Sequence, residues 1–415
     1  MRILLLLAES PLPLTNGVRL RTYHLLSALV RKHEISLLSF YHSTEDMEGL
    51  KQMASRVAHV EAVRGVDHAS FLDYVRGSIS PTPFYVERGK GKDMQVALAR
   101  QLESHEYDLL FVTDVRMAHY AIPYRSIPRL IDACDASSLS YRRGFYRTTH
   151  LLQRIHFLQL WLKMQRYESK MYSLFDLCTV VSPVDAATLQ KNVSGLNVAV
   201  VPNGVDSGYF RPGECVLERE ASLIFVGRLD YPPNVDAVRH FVNHIFPHVR
   251  RQVPSAHFVI VGRNGSQESL GLRGAANVEV VGAVPDIRPF VWENTAFVCP
   301  LRFGSGVKNK VLEAMAMAKP VVGTPIACEG LDLVPGEHIM VASSTADTVG
   351  SIIDLFSDSQ KRVQLGLRAR EVVETKYSWA AAADRLDALI EEVVARWTKL
   401  ELRYPAFTPS RKWNV

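Results

Sequence analysis

A lysine and a glutamate three residues apart, set just behind a turn bounded by two glycines, are the residues of this chain best placed to do chemistry. They lie in residues 297–322, where Phe297-Val-Cys-Pro precedes Gly304-Ser305-Gly306-Val307, then Lys308, Lys310 and Glu313, then Pro320-Val-Val. The pattern predicts a buried strand, a turn, a helix and a second buried strand. A glycine turn at a helix start offers unpaired backbone N–H groups and the positive end of the helix dipole, which suit a phosphate. Lys310 and Glu313 fall about one turn apart on a shared helix face. A cation and a carboxylate so placed suit the two ends of a nucleotide, its diphosphate and its ribose hydroxyls. Lys308 points elsewhere on the helix and is expected in solvent.

The elements that must position this stretch follow a strand–helix–strand rhythm. An apolar run at 3–8 is ended by Glu9. It is too short for a signal-peptide core or a membrane span and is expected as a first strand. A loop with Gly17, a helix over 18–30 and a strand over 34–40 follow. Apolar runs at 109–112, 129–131 and 177–181 continue the series, which argues for a doubly wound, mostly parallel sheet. The rhythm breaks at Pro202-Asn-Gly-Val-Asp206. A second series then runs through 223–226, 258–261, 278–281, 297–300 and 321–323. The expected division is a first α/β domain over 1–200, a hinge over 201–216, a second α/β domain over 217–375, and a C-terminal helix over 376–415 packing back toward the first domain. Ligands of open α/β sheets sit at the carboxyl ends of the strands.

Several of these segments together resemble the group 1 (family 4) glycosyltransferases. Glu313-Ala-Met-Ala and Pro320-Val-Val match the second half of that family's donor-site pattern. Pro202-Asn-Gly-Val-Asp206 is similar to its hinge motif, and Val226-Gly227-Arg228-Leu229 to the strand end whose arginine meets the donor diphosphate. Val261-Gly262, Val281-Gly282 and Asp286 match its next two strand ends, and Gly17 its glycine loop. One departure is clear: the family's first glutamate, which faces the donor sugar, falls at Ser305. Some relatives carry a Gly-Ser/Thr-Gly turn there with a lysine downstream, so the donor sugar is left open. The resemblance implies the GT-B fold, an α/β architecture of two Rossmann-like doubly wound domains facing each other across a cleft. It implies a retaining transfer from a UDP- or GDP-linked sugar to a glycan or lipid-linked acceptor, in exopolysaccharide or envelope-glycan synthesis.

On this reading the donor-binding set is Gly17, Gly227, Arg228, Gly262, Val284, Gly304, Ser305, Gly306, Val307, Lys310 and Glu313. Backbone groups of 262–264 and 282–284 are expected around the base. Arg228 and Lys310 would neutralise the leaving diphosphate, since a guanidinium meets two phosphate oxygens at once. The chain has no D-x-D triplet, so neither a metal nor a cofactor is expected. The family often has a histidine after the strand at 109–112. Here Asp114 follows it, with His119 further along and read as structural. Asp114 and Asp135 are the acceptor-side catalytic candidates, each with a helix N-cap as its alternative.

Composition fits this class. Hydrophobic residues make up 47% of the chain, and a net charge of +5 is too diffuse for a nucleic-acid binder. The five cysteines, Cys134, Cys178, Cys215, Cys299 and Cys328, show no C-x-x-C pair and read as reduced thiols of a cytoplasmic protein. Residues 141–170 hold seven Lys/Arg against one acid, Glu168. Leu151, Ile155, Leu158 and Trp161 recur there at helical spacing, which fits either a core-facing helix with a solvated basic side or peripheral contact with an anionic membrane at its inner face. The tail, with Trp397, Arg403, Tyr404, Phe407, Arg411, Lys412 and Trp413, could join either surface. A nicotinamide dehydrogenase is disfavoured because Gly304-Ser-Gly-Val-Lys-Asn309 lacks the third fingerprint glycine. A nucleotide-sugar epimerase and a binding scaffold without turnover, the latter because of Ser305, stay open.

Overall fold

The computed structural model describes residues 1–65, 80–148, 150–214 and 216–403. The chain forms two compact units. One is Met1–Pro202 joined by the C-terminal segment from Ala380, and the other is Asn203–Trp379.

The first unit is built on β1 (Arg2–Leu7), β2 (Glu34–Tyr41), β3 (His59–Arg64), β4 (Leu109–Thr113), β5 (Arg129–Cys134), β6 (Leu177–Val180) and β7 (Val198–Val200). Their order is β3-β2-β1-β4-β5-β6-β7, and every neighbouring pair is parallel. Strands covered on both faces must be apolar throughout rather than alternating. Accordingly β1 is buried from Ile3 to Leu7 and β4 along its whole length. The helix Gly17–Leu29 starts at Asn16, whose side chain accepts from the Arg19 N–H. Its Arg21 is 1% exposed and grips Asp132 on β5 through Nε (2.7 Å) and Nη2 (3.0 Å). Thr179 Oγ donates to the same carboxylate, so the buried charge is fully partnered. Late in the chain, the helix Trp379–Arg403 buries Leu386 and Ile390, and its Asp387 accepts from Lys32 (2.8 Å) and pairs with the His33 ring (2.6 Å).

The second unit repeats the plan with β8 (Arg219–Val226), β9 (His257–Val261), β10 (Val278–Gly282), β11 (Asn294–Cys299), β12 (Val321–Gly323) and β13 (Met340–Val341). The order is β10-β9-β8-β11-β12-β13, again parallel. Apolar clusters cover its sheet, one including Phe297 and Leu312 and another Phe225 and Phe258. Each sheet reverses its strand order once, between β1 and β4 in the first unit and between β8 and β11 in the second. A crevice opens at the carboxyl ends of strands at such a switch point.

Two sequence expectations change here. Residues 141–170 belong to two helices, Ser137–Arg147 and Leu151–Tyr172, packed on one another with Gly144 against Phe157. The second is core-facing only in its later half, where Met164, Tyr167, Glu168 and Tyr172 are buried. Its first six residues are exposed, so the core-facing reading fails for that half. Cys215 and residues 404–415, which carry most of the basic-aromatic tail, lie outside the described residues.

Candidate active site

In the second unit the switch point gathers the sequence-derived residues. β8 ends at Val226, and Gly227-Arg228 turns directly off it. β11 ends at Cys299 and leads through Gly304 (φ 136°) and Gly306 (φ 67°) into the helix Asn309–Ala316. Backbone torsions of that sign are costly for any residue but glycine. Lys310 links the two loops. Its Nζ donates to Asn234 Oδ1 at 2.7 Å and lies 4.3 Å from the centre of the Phe225 ring. Asn234 in turn donates to the Arg228 carbonyl at 2.8 Å, which fixes the Gly227-Arg228 turn. A Cβ at Gly227 would come within 2.5 Å of Lys310 Nζ, so the small residue is what allows the ammonium to approach the strand end.

Lys310 and Glu313 are both half-buried, and their electrostatics reflect it. Burial lowers the Lys310 ammonium to about 8, against the opposing pull of Glu313. Burial raises the Glu313 carboxyl to about 7, with Lys310 acting the other way. The Glu313 side chain has no hydrogen-bond donor among the described residues, while Val311, Leu312, Ala314 and Met315 around it are buried. A half-desolvated carboxyl without a donor is costly to maintain for stability alone, and it offers acceptors to a hydroxyl-bearing ligand.

Arg228 is exposed and forks onto Asp230, with Nε and Nη2 each 3.0 Å from a carboxylate oxygen. Asn264 donates to the same Asp230 at 2.9 Å. The hydrogen bonds from Arg228 and Asn264, together with the Arg228 charge, hold the Asp230 carboxyl below its ordinary range. Gly262 closes β9, and its N–H is already spent on the Gly282 carbonyl at 2.9 Å. Val284 and Val307 pack on the apolar cluster beneath the sheet. Ser305 is half-buried in the turn. Lys308 corrects the sequence expectation of a solvated side chain. It is the residue preceding the helix, not on its outer face, and is 8% exposed. Its Nζ donates to the carbonyls of Ser305 (3.0 Å) and Gly306 (2.5 Å), so it braces the turn from within.

In the first unit the strand ends carry a network of alternating charges. Glu9, directly after β1, accepts from Arg19 Nε (2.7 Å), Asn16 Nδ2 (3.1 Å) and Arg116 Nη2 (3.2 Å). Burial alone would raise the Glu9 carboxyl, but the Arg116 and Arg19 guanidinium groups hold it low. Arg116 continues to Asp114 through Nε (3.0 Å) and Nη2 (2.9 Å), and Tyr85 donates to the same carboxylate at 3.2 Å. Asp114 therefore does cap the short helix after β4, accepting from the Arg116 N–H at 2.8 Å. It is 7% exposed and holds φ at 73°, a strained value for a residue with a side chain. Asp135 lies past the neighbouring strand and accepts the Ser137 hydroxyl at 3.3 Å, while the cap position of the following helix falls on Ala136. Gly17 is the exposed first residue of its helix. His119 has both ring nitrogens buried without a partner, and burial lowers it to about 4.

Sequence reasoning passed over Glu9, Arg116 and Asn234. Glu9 served only as the end of an apolar run, although its place after the central strand, beside a switch point, was the usable signal. Asn234 follows two prolines that start a helix, and nothing in its type suggests that it bridges a lysine and a carbonyl.

Two family models match the chain in succession. "Glycosyltransferase Family 4" covers residues 15–209 and "Glycosyl transferases group 1" covers residues 220–358. A curated relative, described as an uncharacterized 44.6 kDa protein in the cps region of Klebsiella pneumoniae, is 20% identical over 389 residues, covering 91% of this chain and 96% of that one. Among solved structures, sucrose-phosphate synthase from Thermosynechococcus elongatus superposes with a TM-score of 0.71 at 15% identity, over 95% of this chain and 100% of that one. HepE of Anabaena does so with 0.65 at 14% identity, over 94% and 100%. At these identities the superpositions show the fold, which is GT-B. Two Rossmann-like units in that order, each matched by its own family model, place this chain in the group 1/family 4 glycosyltransferases.

Proposed function

We propose that this enzyme is a retaining glycosyltransferase that moves a sugar from a UDP- or GDP-linked donor to a glycan or lipid-linked acceptor in exopolysaccharide or envelope-glycan synthesis. The observation that carries the reading is the meeting of Lys310, the Gly227-Arg228 turn and the Gly304–Gly306 turn at the switch point of the second sheet, with Glu313 one helical turn beyond. Lys310 and Arg228 supply the positive charge a departing diphosphate needs, in a partly desolvated place where charge counts for more than in water. Glu313 supplies acceptors for ribose hydroxyls. Binding of a diphosphate would draw Arg228 from Asp230 and return Lys310 to full protonation.

In the reaction the bond from the anomeric carbon to the donor phosphate oxygen breaks, and a bond to the acceptor oxygen forms on the same face. The acceptor proton passes to the departing diphosphate, so no strong protein base is required and neither metal nor cofactor is assigned a part. The Asp114 carboxylate, engaged by Arg116 and Tyr85, shapes the acceptor side as a positioning group; Asp135 is assigned to the same side. Structural neighbours support the donor class: HepE was solved with UDP-glucose, and a point mutant of S. aureus TarM with fondaparinux, α-GlcNAc-glycerol and UDP. The Klebsiella relative's place in a cps region supports the polysaccharide setting.

Ser305, at the position where the family carries an acid, favours one other reading, a nucleotide-binding scaffold. Incubation with UDP- and GDP-sugars plus a bacterial lipid extract separates the two. Transfer with an unchanged anomeric configuration, read by NMR of the product, supports the proposal. Nucleotide binding without any donor turnover across that set leaves the scaffold.

A further inference from the structure

Fourteen large apolar side chains are exposed among the described residues, and five of them, Tyr146, Leu151, Leu152, Ile155 and Leu162, lie on the helix pair Ser137–Arg147 and Leu151–Tyr172. Leu151 is 71% exposed and Leu152 81%, values that no core role explains. The others are spread along the chain, as isolated surface apolar residues normally are, whereas four of these five cluster where the two helices meet.

The charge around them has one sign. From residue 137 to residue 167 there is no acid, and across the pair the sole carboxylate, Glu168, is 0% exposed and bound to Ser138. Arg147 and Arg154 are exposed beside the leucines, with Arg166 and Lys170 further along the second helix. Arg154 lies over the Phe145 ring at 4.7 Å, and Trp161 stands 6.1 Å from Phe145 and 6.3 Å from Tyr146, giving an aromatic base under the apolar tip.

We infer that this tip docks on an anionic lipid surface, with Leu151, Leu152, Ile155 and Tyr146 entering the boundary between headgroups and acyl chains and the arginines meeting lipid phosphates. Apolar residues flanked by cations and aromatic rings are the composition that holds a helix in that interface. A second copy of the chain is the weaker occupant. A two-fold contact sets the same patch against itself, and here that would oppose cations with cations and bring no carboxylate to pair them. No helix among the described residues is long and apolar enough to cross a membrane, so the contact is at the surface of the bilayer. The inference does not depend on the donor site, which lies in the other unit.

The test is co-sedimentation of the full chain with vesicles of equimolar phosphatidylglycerol and phosphatidylcholine, and with phosphatidylcholine alone. The expected result is binding to the anionic vesicles only, weakened by salt. The Leu151→Ser/Leu152→Ser/Ile155→Ser variant should lower the partition coefficient by about tenfold or more, given the contribution of each buried methylene. Arg147→Gln/Arg154→Gln should lower it as well and flatten the salt dependence. These side chains are exposed, so both variants should keep the wild-type circular dichroism and nucleotide binding. Equal binding to neutral vesicles, no binding at all, or binding unchanged in the triple variant would overturn the inference. So would a concentration-dependent dimer that the triple variant abolishes.

Discussion

Replacing Lys310 with methionine should make the protein more stable and the enzyme worse, and the structure gives the size of both effects. The Lys310 ammonium titrates near 8 in the fold against an ordinary 10.5. At about 1.4 kcal/mol per tenfold change in proton affinity, keeping the charge there costs roughly 3 kcal/mol at neutral pH. The hydrogen bond to Asn234 and the contact with the Phe225 ring return about 1 kcal/mol each. Methionine keeps the volume and sheds the charge, so a net gain of about 1 kcal/mol is expected near pH 7. The sign of the pH dependence follows from the lowered value. The penalty is complete below pH 8 and fades as pH rises from 8 toward 10.5, where the unfolded chain also loses its proton. Denaturant unfolding at pH 7 and pH 10 should therefore show the variant's advantage shrinking or reversing. Nucleotide affinity should move oppositely, falling about 10- to 100-fold for the loss of a charge-assisted bond to phosphate. A variant that is clearly less stable at pH 7 yet binds nucleotide as well as wild type would refute the reasoning, because Lys310 would then be a structural brace.

Other expectations follow from the same contacts. Asp132→Asn should cost about 3–5 kcal/mol, since it leaves the Arg21 guanidinium buried and uncompensated, whereas Arg21→Met/Asp132→Leu should recover most of that loss in unfolding measurements. Glu168 is raised to about 8 by burial, despite the opposing hydrogen bonds from Ser138. Its folded form holds a proton that the unfolded chain releases above about pH 4.5, so stability falls as pH rises between those two values. Glu168→Gln should remove up to about 5 kcal/mol of that dependence, visible as melting curves that diverge from wild type toward pH 8. Asp114→Asn should cut transfer by about a hundredfold through misplacement on the acceptor side while nucleotide binding in the other unit stays unchanged, and weakened binding would count against its assignment.

Most of the fold was legible because the inner parallel strands are continuous apolar runs, and the break at Pro202-Asn-Gly falls where the first unit ends at Pro202. By contrast, β3 mixes His59, Glu61 and Arg64 into its six residues, and β7 and β13 are only three and two residues long, so none of these three stood out. Lys310, Arg228 and Gly227 were legible as members of one strand-end cluster because glycine and charge directly after an apolar strand have few other uses. The rest depends on distances that sequence spacing does not encode. Lys308 and Lys310 are two residues apart on paper, yet one precedes the helix and binds carbonyls while the other reaches Asn234, 76 positions earlier in the chain. Arg116 and Glu9 are 107 positions apart and meet only because β1 and β4 are neighbours in the sheet. The helix Leu151–Tyr172 carries one apolar periodicity throughout, and nothing in that pattern marks where the core stops covering it.

The most direct test of the donor-site account is calorimetric titration of the protein with UDP and GDP, with Glu313→Ala and Arg228→Ala alongside. The account predicts that one nucleotide binds and that each substitution weakens it by about tenfold or more, which is about 1.4 kcal/mol. Failure of both nucleotides to bind, or wild-type affinity in both variants, would contradict it.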